Sequence, residues 1–309
     1  MDDPLIIAIR FALYADMTAL AGLVAFSLYA LRPNERVDGV LPLVRPVIWL
    51  SSGGLALSGL GMVALVANMM GTPLREFDAA AFRSIVQQTA IGIAWVVRIA
   101  ALCVAFAAAP FLARWPTGAR VTVLLASAVA IATLVWAGHA GAAEGRAGIV
   151  QKLSDIAHMW AAAIWIGGLT AFTWLLSRPA AKRTTWMLAV AHRALHRFSR
   201  VGTAVVAVLV ITGTVNGTMI LGFPSIHELI GSTYVRLLIA KLALFACMLA
   251  LAGANRWRLT PALGDAIQRG DPANAVRALR KSLIMETAAA AAILYLVAWF
   301  ATLEPLPIS

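Results

Sequence analysis

Residues 178–200 have the sequence RPAAKRTTWMLAVAHRALHRFSR, and residues 201–222 continue as VGTAVVAVLVITGTVNGTMILG. The first segment contains six Lys or Arg residues, whereas the second contains no charged residue. An apolar segment of about 20 residues is long enough to cross the hydrocarbon core of a bilayer as an α-helix. The two segments therefore predict a basic loop at a membrane surface that leads into a transmembrane helix.

The same alternation of basic loops and apolar segments recurs along the whole chain. The first, third, fifth and seventh connections hold 17 of the 25 basic residues, whereas the other loops hold only Arg75, Arg83, Arg146 and Lys152. Basic loops stay in the cytoplasm because translocating Lys and Arg during insertion is unfavourable. We therefore predict an all-α polytopic integral membrane protein, a bundle of eight transmembrane helices with both termini periplasmic. The eight apolar segments lie near residues 5–31, 43–70, 88–112, 118–138, 155–177, 198–222, 234–254 and 283–302.

The composition agrees with a membrane protein. Hydrophobic residues make up 61% of the chain, and charged residues make up 13%, about half the share of a soluble domain. The net charge of +11 lies mostly in the predicted cytoplasmic loops, where it contacts anionic membrane lipid, so we do not predict nucleic-acid binding. The longest polar stretches, 178–197 and 255–281, are too short to bury a core of their own. Residues 1–309 are therefore predicted to form a single membrane domain.

Asp16, Arg98, Lys241 and Glu286 are ionisable residues inside the predicted spans, where a charge is costly. Asp16 and Arg98 lie about 15 Å below the outer surface by helix rise, and Lys241 lies nearer to that surface. Glu286 enters the last span from the cytoplasmic side, close to the basic residues that precede it. Two interpretations stay open: Asp16 forms a neutralising pair with Arg98 or Lys241, or these buried charges take part in transport.

Candidate metal ligands concentrate on the predicted outer side. Asp155, His158 and Met159 share one helical face, because they are three and four residues apart. His139 ends the fourth predicted span, and His227 lies in the loop after the sixth. Imidazole and thioether donors together favour copper, particularly Cu(I), over hard cations. The alternative is that the histidines cap helix ends or bond to loop carbonyls, and that the methionines are packing residues.

A second histidine pair lies in the predicted cytoplasmic loop. His192 and His196 are four residues apart, which on a helix would place both rings on one face. Arg193, Arg197 and Arg200 surround them, and this cationic setting works against binding a metal cation. The pattern favours an amphipathic interfacial segment that leads into the sixth span.

Several motifs, in this order, resemble the copper-resistance protein D family (CopD/PcoD) of bacterial inner-membrane proteins. The resemblance covers residues 130–305, whereas the first three spans match only in general character. The motifs are Gly138-His139-Ala140, the stretch HMWAAAIWIGGL of residues 158–169, Arg197-Phe198-Ser199-Arg200, Thr212-Gly213, the stretch STYVRLLIAK of residues 232–241, Asn255-Arg256 and Glu286.

The resemblance implies copper transport and homeostasis at the cell inner membrane, with copper moving from periplasm to cytoplasm, and it implies no enzyme activity. It also implies a separate periplasmic copper-binding partner of the CopC type. With this resemblance we predict a Cu(I) site with His139 and His158 as primary ligands, Met159 and Asp155 beside them, and His227 delivering the ion. Two alternatives stay open: a haem-binding electron carrier with His139 and His158 as axial ligands, and a copper-binding assembly factor that does not transport.

Overall fold

A computed structural model describes residues 4–73, 76, 78–138, 145–179, 183–221, 233–300 and 302–303. Within these residues the chain is helical and contains no β-strand, and eight helices are long and apolar enough to cross a membrane. The prediction of an all-α bundle with eight transmembrane helices is confirmed, and the periplasmic position of the termini stays a prediction. The eight helices are α1 (Pro4–Tyr29), α3 (Val44–Met70), α5 (Ala90–Ala108), α6 (Pro116–Ala132), α7 (Gly145–Leu176), α8 (Thr185–Leu221), α9 (Thr233–Ala254) and α11 (Ala273–Phe300).

Shorter elements connect these helices. Three short helices, α2 (Pro33–Val37), α4 (Ala79–Gln88) and α10 (Thr260–Gln268), lie between longer ones. The 3-10 turns Ala109–Leu112 and Thr133–Ala137 extend α5 and α6. A π-helical turn, Asn255–Leu259, joins α9 to α10 without a break in the helical chain. Such turns often occur at functional sites in helical proteins.

Three helices begin earlier than hydropathy predicts. They start at Gly145, Thr185 and Ala273, whereas the apolar segments start near 155, 198 and 283. In α8 and α11 the added turns bury one apolar side, which contains Leu188, Ala191 and Leu195 in α8 and Val276 and Leu279 in α11. Hydropathy detects only the part of a helix that lies in hydrocarbon, so an amphipathic extension along the interface escapes it.

Helix α1 lies at the centre of the bundle and packs against α3, α6, α7 and α11. Its closest approach is to α7, where a Cβ atom added at Gly22 or at Gly167 would overlap the backbone of the other helix. Small residues permit such close helix packing in membranes. Gly168 likewise admits the ring of Phe198 from α8, so the glycines of α7 bring three helices together.

Arginines of the basic loops bind the C-terminal end of α1. Arg36 donates to the carbonyl oxygens of Ser27 and Leu31 at 2.9 and 3.0 Å, and Arg197 donates to that of Ala30 at 3.3 Å. Buried Glu35 forms an ion pair with Arg193 of α8. The last carbonyls of a helix lack intrahelical partners and carry partial negative charge, so cationic donors stabilise this end.

Candidate functional site

His158 of α7 is held in one orientation by Thr212 of α8. The His158 Nδ1 atom lies 2.9 Å from Thr212 Oγ1, and that hydroxyl donates to the carbonyl oxygen of Val208 at 2.6 Å. Because the hydroxyl proton is used in this way, Thr212 accepts the Nδ1 proton and Nε2 keeps its lone pair. Metal-binding histidines are commonly oriented by a hydrogen bond of this kind from the other ring nitrogen.

The two other described residues of the predicted copper site lie on the same helix. Asp155 accepts a hydrogen bond from Asn216 Nδ2 of α8. Lys241 of α9 interacts electrostatically with both Asp155 and His158. Met159 is partly buried and packs against the hydrophobic core. The structure therefore brings Asp155, His158 and Lys241 together, and it places Met159 beside them on the core side.

His139 and His227 lie outside the described residues. Within the described part of the chain, no group of three or more His, Cys, Asp or Glu side chains is arranged to hold a metal ion. A copper site that includes His158 therefore needs thioether donors or donors from outside the described ranges. The predicted ligand set stays a prediction.

A cavity of about 430 Å³ lies between α7, α8, α9 and α11, and His158 and Lys241 line it. We call it the outer cavity because it lies toward the predicted periplasmic side, and we name the inner cavity below in the same way. Trp165 and Met248 also line it. Trp165 lies seven residues after His158 on α7, a distance of about 10 Å along the helix axis. Most of the remaining lining is aliphatic or aromatic. The cavity therefore holds an imidazole and a thioether, the two donor types that suit Cu(I).

A second, inner cavity of about 380 Å³ lies on the other side of Trp165, which lines both cavities. The indole of Trp165 therefore forms part of the wall between them. Asn255 and Arg256 of the π-helical turn line the inner cavity together with Glu286 of α11. Thr203 of α8 adds a hydroxyl.

Glu286 is 1% exposed and receives two hydrogen bonds. Trp165 Nε1 donates to Oε1 at 3.1 Å, and Asn255 Nδ2 donates to Oε2 at 2.8 Å. These three residues belong to separate motifs of the sequence and meet only in the fold. Their contact could not be predicted from the sequence, because the order of motifs along a chain does not say which of them meet in the fold.

The buried charges of the first and third spans do not pair as one interpretation expected. Arg98 donates to Thr133 Oγ1 at 2.9 Å and to the Thr133 carbonyl oxygen at 3.3 Å. The Asp16 carboxylate faces Gly53 and Gly54 of α3, and its Oδ2 atom is buried without a hydrogen-bond partner. Among the described residues, Asp16 therefore forms no ion pair with Arg98 or Lys241, and the pairing interpretation is wrong. Helix rise gives the depth of a residue, but it does not say which neighbouring helix its side chain faces.

The histidine pair of the predicted cytoplasmic loop lies on α8, in the turns that lead into the apolar part of this helix. The ring centroids of His192 and His196 are 4.7 Å apart, in an edge-to-face arrangement. The His192 ring packs against Gly264 of α10, so the pair contributes to the contact between these helices.

Met248 is the residue that sequence reasoning missed most clearly. It is 4% exposed and lies in an apolar span, so its sequence context gave no signal beyond packing.

The motif residues that the structure describes lie close together in the fold. Each of the following lines one or both cavities: His158, Trp165, Phe198, Gly213, Lys241 and Glu286. The resemblance therefore maps onto this one region of the fold.

Comparisons with known proteins extend the likeness to the N-terminal helices. A family model described as copper resistance protein D-like, N-terminal domain, matches residues 1–149, and one described as copper resistance protein D matches residues 192–300. The chain is 40% identical to copper resistance protein D of Pseudomonas syringae pv. tomato over 306 residues, which cover 99% of this chain and 98% of that protein.

Two further relatives are more distant. Inner membrane protein YebZ of Escherichia coli (strain K12) is 28% identical over 249 residues, 81% of each chain. Copper transport protein CutJ of Bacillus subtilis (strain 168) is 28% identical over 270 residues, 81% of this chain and 46% of CutJ. No solved structure matches the chain.

Proposed function

We propose that this chain, which belongs to the copper resistance protein D family, moves copper across the bacterial inner membrane from periplasm to cytoplasm. Membership of this family supports a role in copper homeostasis, and eight apolar helices support a multi-pass protein of the inner membrane.

One observation carries the proposal: His158, oriented by Thr212 at its Nδ1 atom, lines the same cavity as Met248. Cu(I) enters at His158 and His139, with Asp155 and Met159 beside them, and His227 passes the ion from the loop. Imidazole and thioether donors bind a soft cation without adding negative charge. Such a site releases its ion more easily than a thiolate site does.

Lys241 further weakens retention of the ion. Its ammonium group interacts with both Asp155 and His158, so it opposes a second cation at this place, whereas Asp155 offsets part of that repulsion. A transporter needs binding that is strong enough for entry and weak enough for release. Met248 is the next soft donor along the same cavity, and Trp165 is the barrier that the ion must pass.

A periplasmic copper-binding protein of the CopC type is the proposed donor. It would hand copper to His139 and His227 at the outer surface. Copper would then pass directly from one protein site to another, without release of the free ion into the periplasm.

The deciding experiment is Cu(I) titration of the purified protein against a competing chelator. His158→Ala and the double variant His139→Ala/His158→Ala are compared with His192→Ala, a matched control on the cytoplasmic segment. We expect both site variants to lose Cu(I) binding and the control to retain it. Wild-type stoichiometry and affinity in a folded double variant would contradict the site.

The same preparation separates the alternatives. A Soret band in the absorption spectrum would favour a haem-bearing electron carrier, because bis-histidine haem absorbs strongly there. Stoichiometric Cu(I) binding without copper uptake into vesicles would favour an assembly factor. Uptake that requires His158 supports transport.

A further inference from the structure

Glu286 is a buried carboxylate whose immediate partners are neutral. Among the described residues, no Lys or Arg side chain forms an ion pair with it. Both of its oxygens accept from N–H donors, Trp165 Nε1 and Asn255 Nδ2. Two donors suit the ionised carboxylate, since a protonated acid needs an acceptor for its own O–H.

Asn255 offers that acceptor. Its side chain is 7% exposed, lines the inner cavity, and has an Oδ1 atom that is buried without a hydrogen-bond partner. A buried polar atom without a partner costs free energy and calls for an explanation. The amide carries a donor and an acceptor on the same group, so a half-turn would exchange the atom that faces Glu286.

We propose that Glu286 and Asn255 form a proton-binding site, reached from the inner cavity, that couples copper movement to proton movement. The coupling rests on the proposed function, whereas proton binding does not. A hydronium ion in the cavity water gives its proton to Glu286 Oε2 and leaves neutral water, and the bond from Asn255 Nδ2 breaks. The amide turns over, and the new O–H donates to Asn255 Oδ1. The proton returns to water by the reverse steps, with no change of oxidation state.

The inner cavity supplies the water for this exchange. A cavity of about 380 Å³ has room for several water molecules, each of which occupies about 30 Å³ in the liquid. Thr203 and Thr260 add hydroxyl groups to the lining, so water has polar partners besides Glu286.

The charges around the site favour release of the proton. Arg256 lines the same cavity from the π-helical turn, and its guanidinium donates to Thr203 Oγ1 at 2.7 Å. Lys241 of α9 lies beyond Trp165 in the outer cavity, and Asp16 of α1 faces α3. The described lining from α7, α8 and α10 contains no other group that titrates near neutral pH. A fixed cation beside the site favours the ionised carboxylate.

The proton is linked to the wall between the cavities through Trp165. The Trp165 indole N–H donates a hydrogen bond to the Glu286 carboxylate. Hydrogen bonds to a charged acceptor are stronger than those to a neutral one. Protonation of Glu286 therefore loosens Trp165, and ionisation holds it in place. The outer and inner cavities would thus connect when the proton is bound.

Infrared difference spectroscopy across pH, in lipid and without copper, tests proton binding. We expect the carbonyl band of a protonated carboxylic acid to titrate in the wild type and in Asp16→Asn, and to be absent from Glu286→Gln. In wild-type protein, carbon-13 labelling of glutamate must shift the frequency of this band. This measurement does not depend on whether a variant folds. Asn255→Ala must also shift the frequency of this band. A band unchanged in folded Glu286→Gln, or one insensitive to the label, would overturn the site.

Copper uptake into liposomes that contain a pH dye tests the coupling separately. We expect uptake by the wild type to change the internal pH, and Glu286→Gln to lose this change while it keeps Cu(I) binding at His158. Uptake without a pH change in the wild type, or an identical change in Glu286→Gln, would overturn the coupling. Failure of the wild type to take up copper would contradict the transport function instead, and the infrared result would stand on its own.

Discussion

Thr212 Oγ1 lies 2.9 Å from His158 Nδ1, and this contact joins residues that are 54 positions apart in the chain. It orients the ring of His158, and because the Thr212 hydroxyl donates its proton to Val208, Nε2 remains available for a ligand. The role of Thr212 in the proposed copper site is thus to position another residue, without a contact to the metal.

Replacing Thr212 by Val removes this hydrogen bond and keeps the shape of the side chain. We expect Cu(I) affinity to fall by about 10- to 100-fold, the usual loss when the partner of a metal-binding histidine is removed. Competition with a Cu(I) chelator measures the change. Thr212→Ser should restore most of the affinity, and Thr218→Val, an exposed position on the same helix, serves as the control. Equal affinity in wild type and Thr212→Val would contradict the positioning role.

Met248→Leu tests the thioether inside the outer cavity. The side chains are similar in volume, so we expect a stability cost below about 1.5 kcal/mol. Copper uptake into proteoliposomes should slow, because the ion loses its second soft donor, while Cu(I) binding at His158 should persist. Met62→Leu is the matched control, since Met62 is equally buried at 4% but lies on α3, away from the cavity lining. Equal slowing in both variants would argue for a general packing effect.

The close contact between α1 and α7 predicts that one added methyl group at this contact lowers the stability of the protein considerably. Gly22→Ala and Gly167→Ala each place a Cβ atom into the backbone of the other helix. Overpacking of this kind typically costs about 1–3 kcal/mol, and here the obstacle is backbone, which yields least. Thermal unfolding in detergent measures the loss. Gly217→Ala, where no atom lies within 4 Å of the added Cβ, should unfold at the wild-type temperature.

A double-mutant cycle tests the separation of Asp16 from Arg98. Because Arg98 bonds to Thr133 and Asp16 forms no ion pair with any described residue, we expect the stability effects of Asp16→Asn and Arg98→Met to add within about 0.5 kcal/mol. Arg98→Met should destabilise, whereas Asp16→Asn should not, since it removes an unpaired buried charge. A strong rescue of Arg98→Met by Asp16→Asn would indicate an ion pair between them after all.

Cysteine labelling tests the predicted orientation in the membrane. The native cysteines, Cys103 and Cys247, are free, so both are first replaced by alanine. A cysteine at Thr184, before α8, should react with an impermeant reagent only after the inner membrane is opened. A cysteine at Ser84, on α4, should react in cells with a permeable outer membrane alone. The reverse pattern would invert the topology and move the proposed copper site to the cytoplasmic side.

The number and rough positions of the helices could be predicted from sequence, because the membrane imposes a length and a composition on every span. The contacts between helices could not. Trp165 and Glu286 are 121 positions apart, and only the packing of α7 on α11 brings them to 3.1 Å. Asp16 has the depth that suits a partner of Arg98, yet it faces Gly53 and Gly54. Hydropathy carries no information on which side of a helix meets which neighbour.

The arginines at the end of α1 have a consequence for biogenesis. Helix α1 leaves the ribosome before the other seven long helices, yet Arg197 bonds to the Ala30 carbonyl at its end and Arg193 pairs with the neighbouring Glu35. Both arginines are synthesised more than 150 residues later. Until α8 arrives, the central helix of the bundle lacks these partners. Basic residues that are predicted to orient the chain during insertion thus also complete the packing around α1, and they can do so only after α8 has been made.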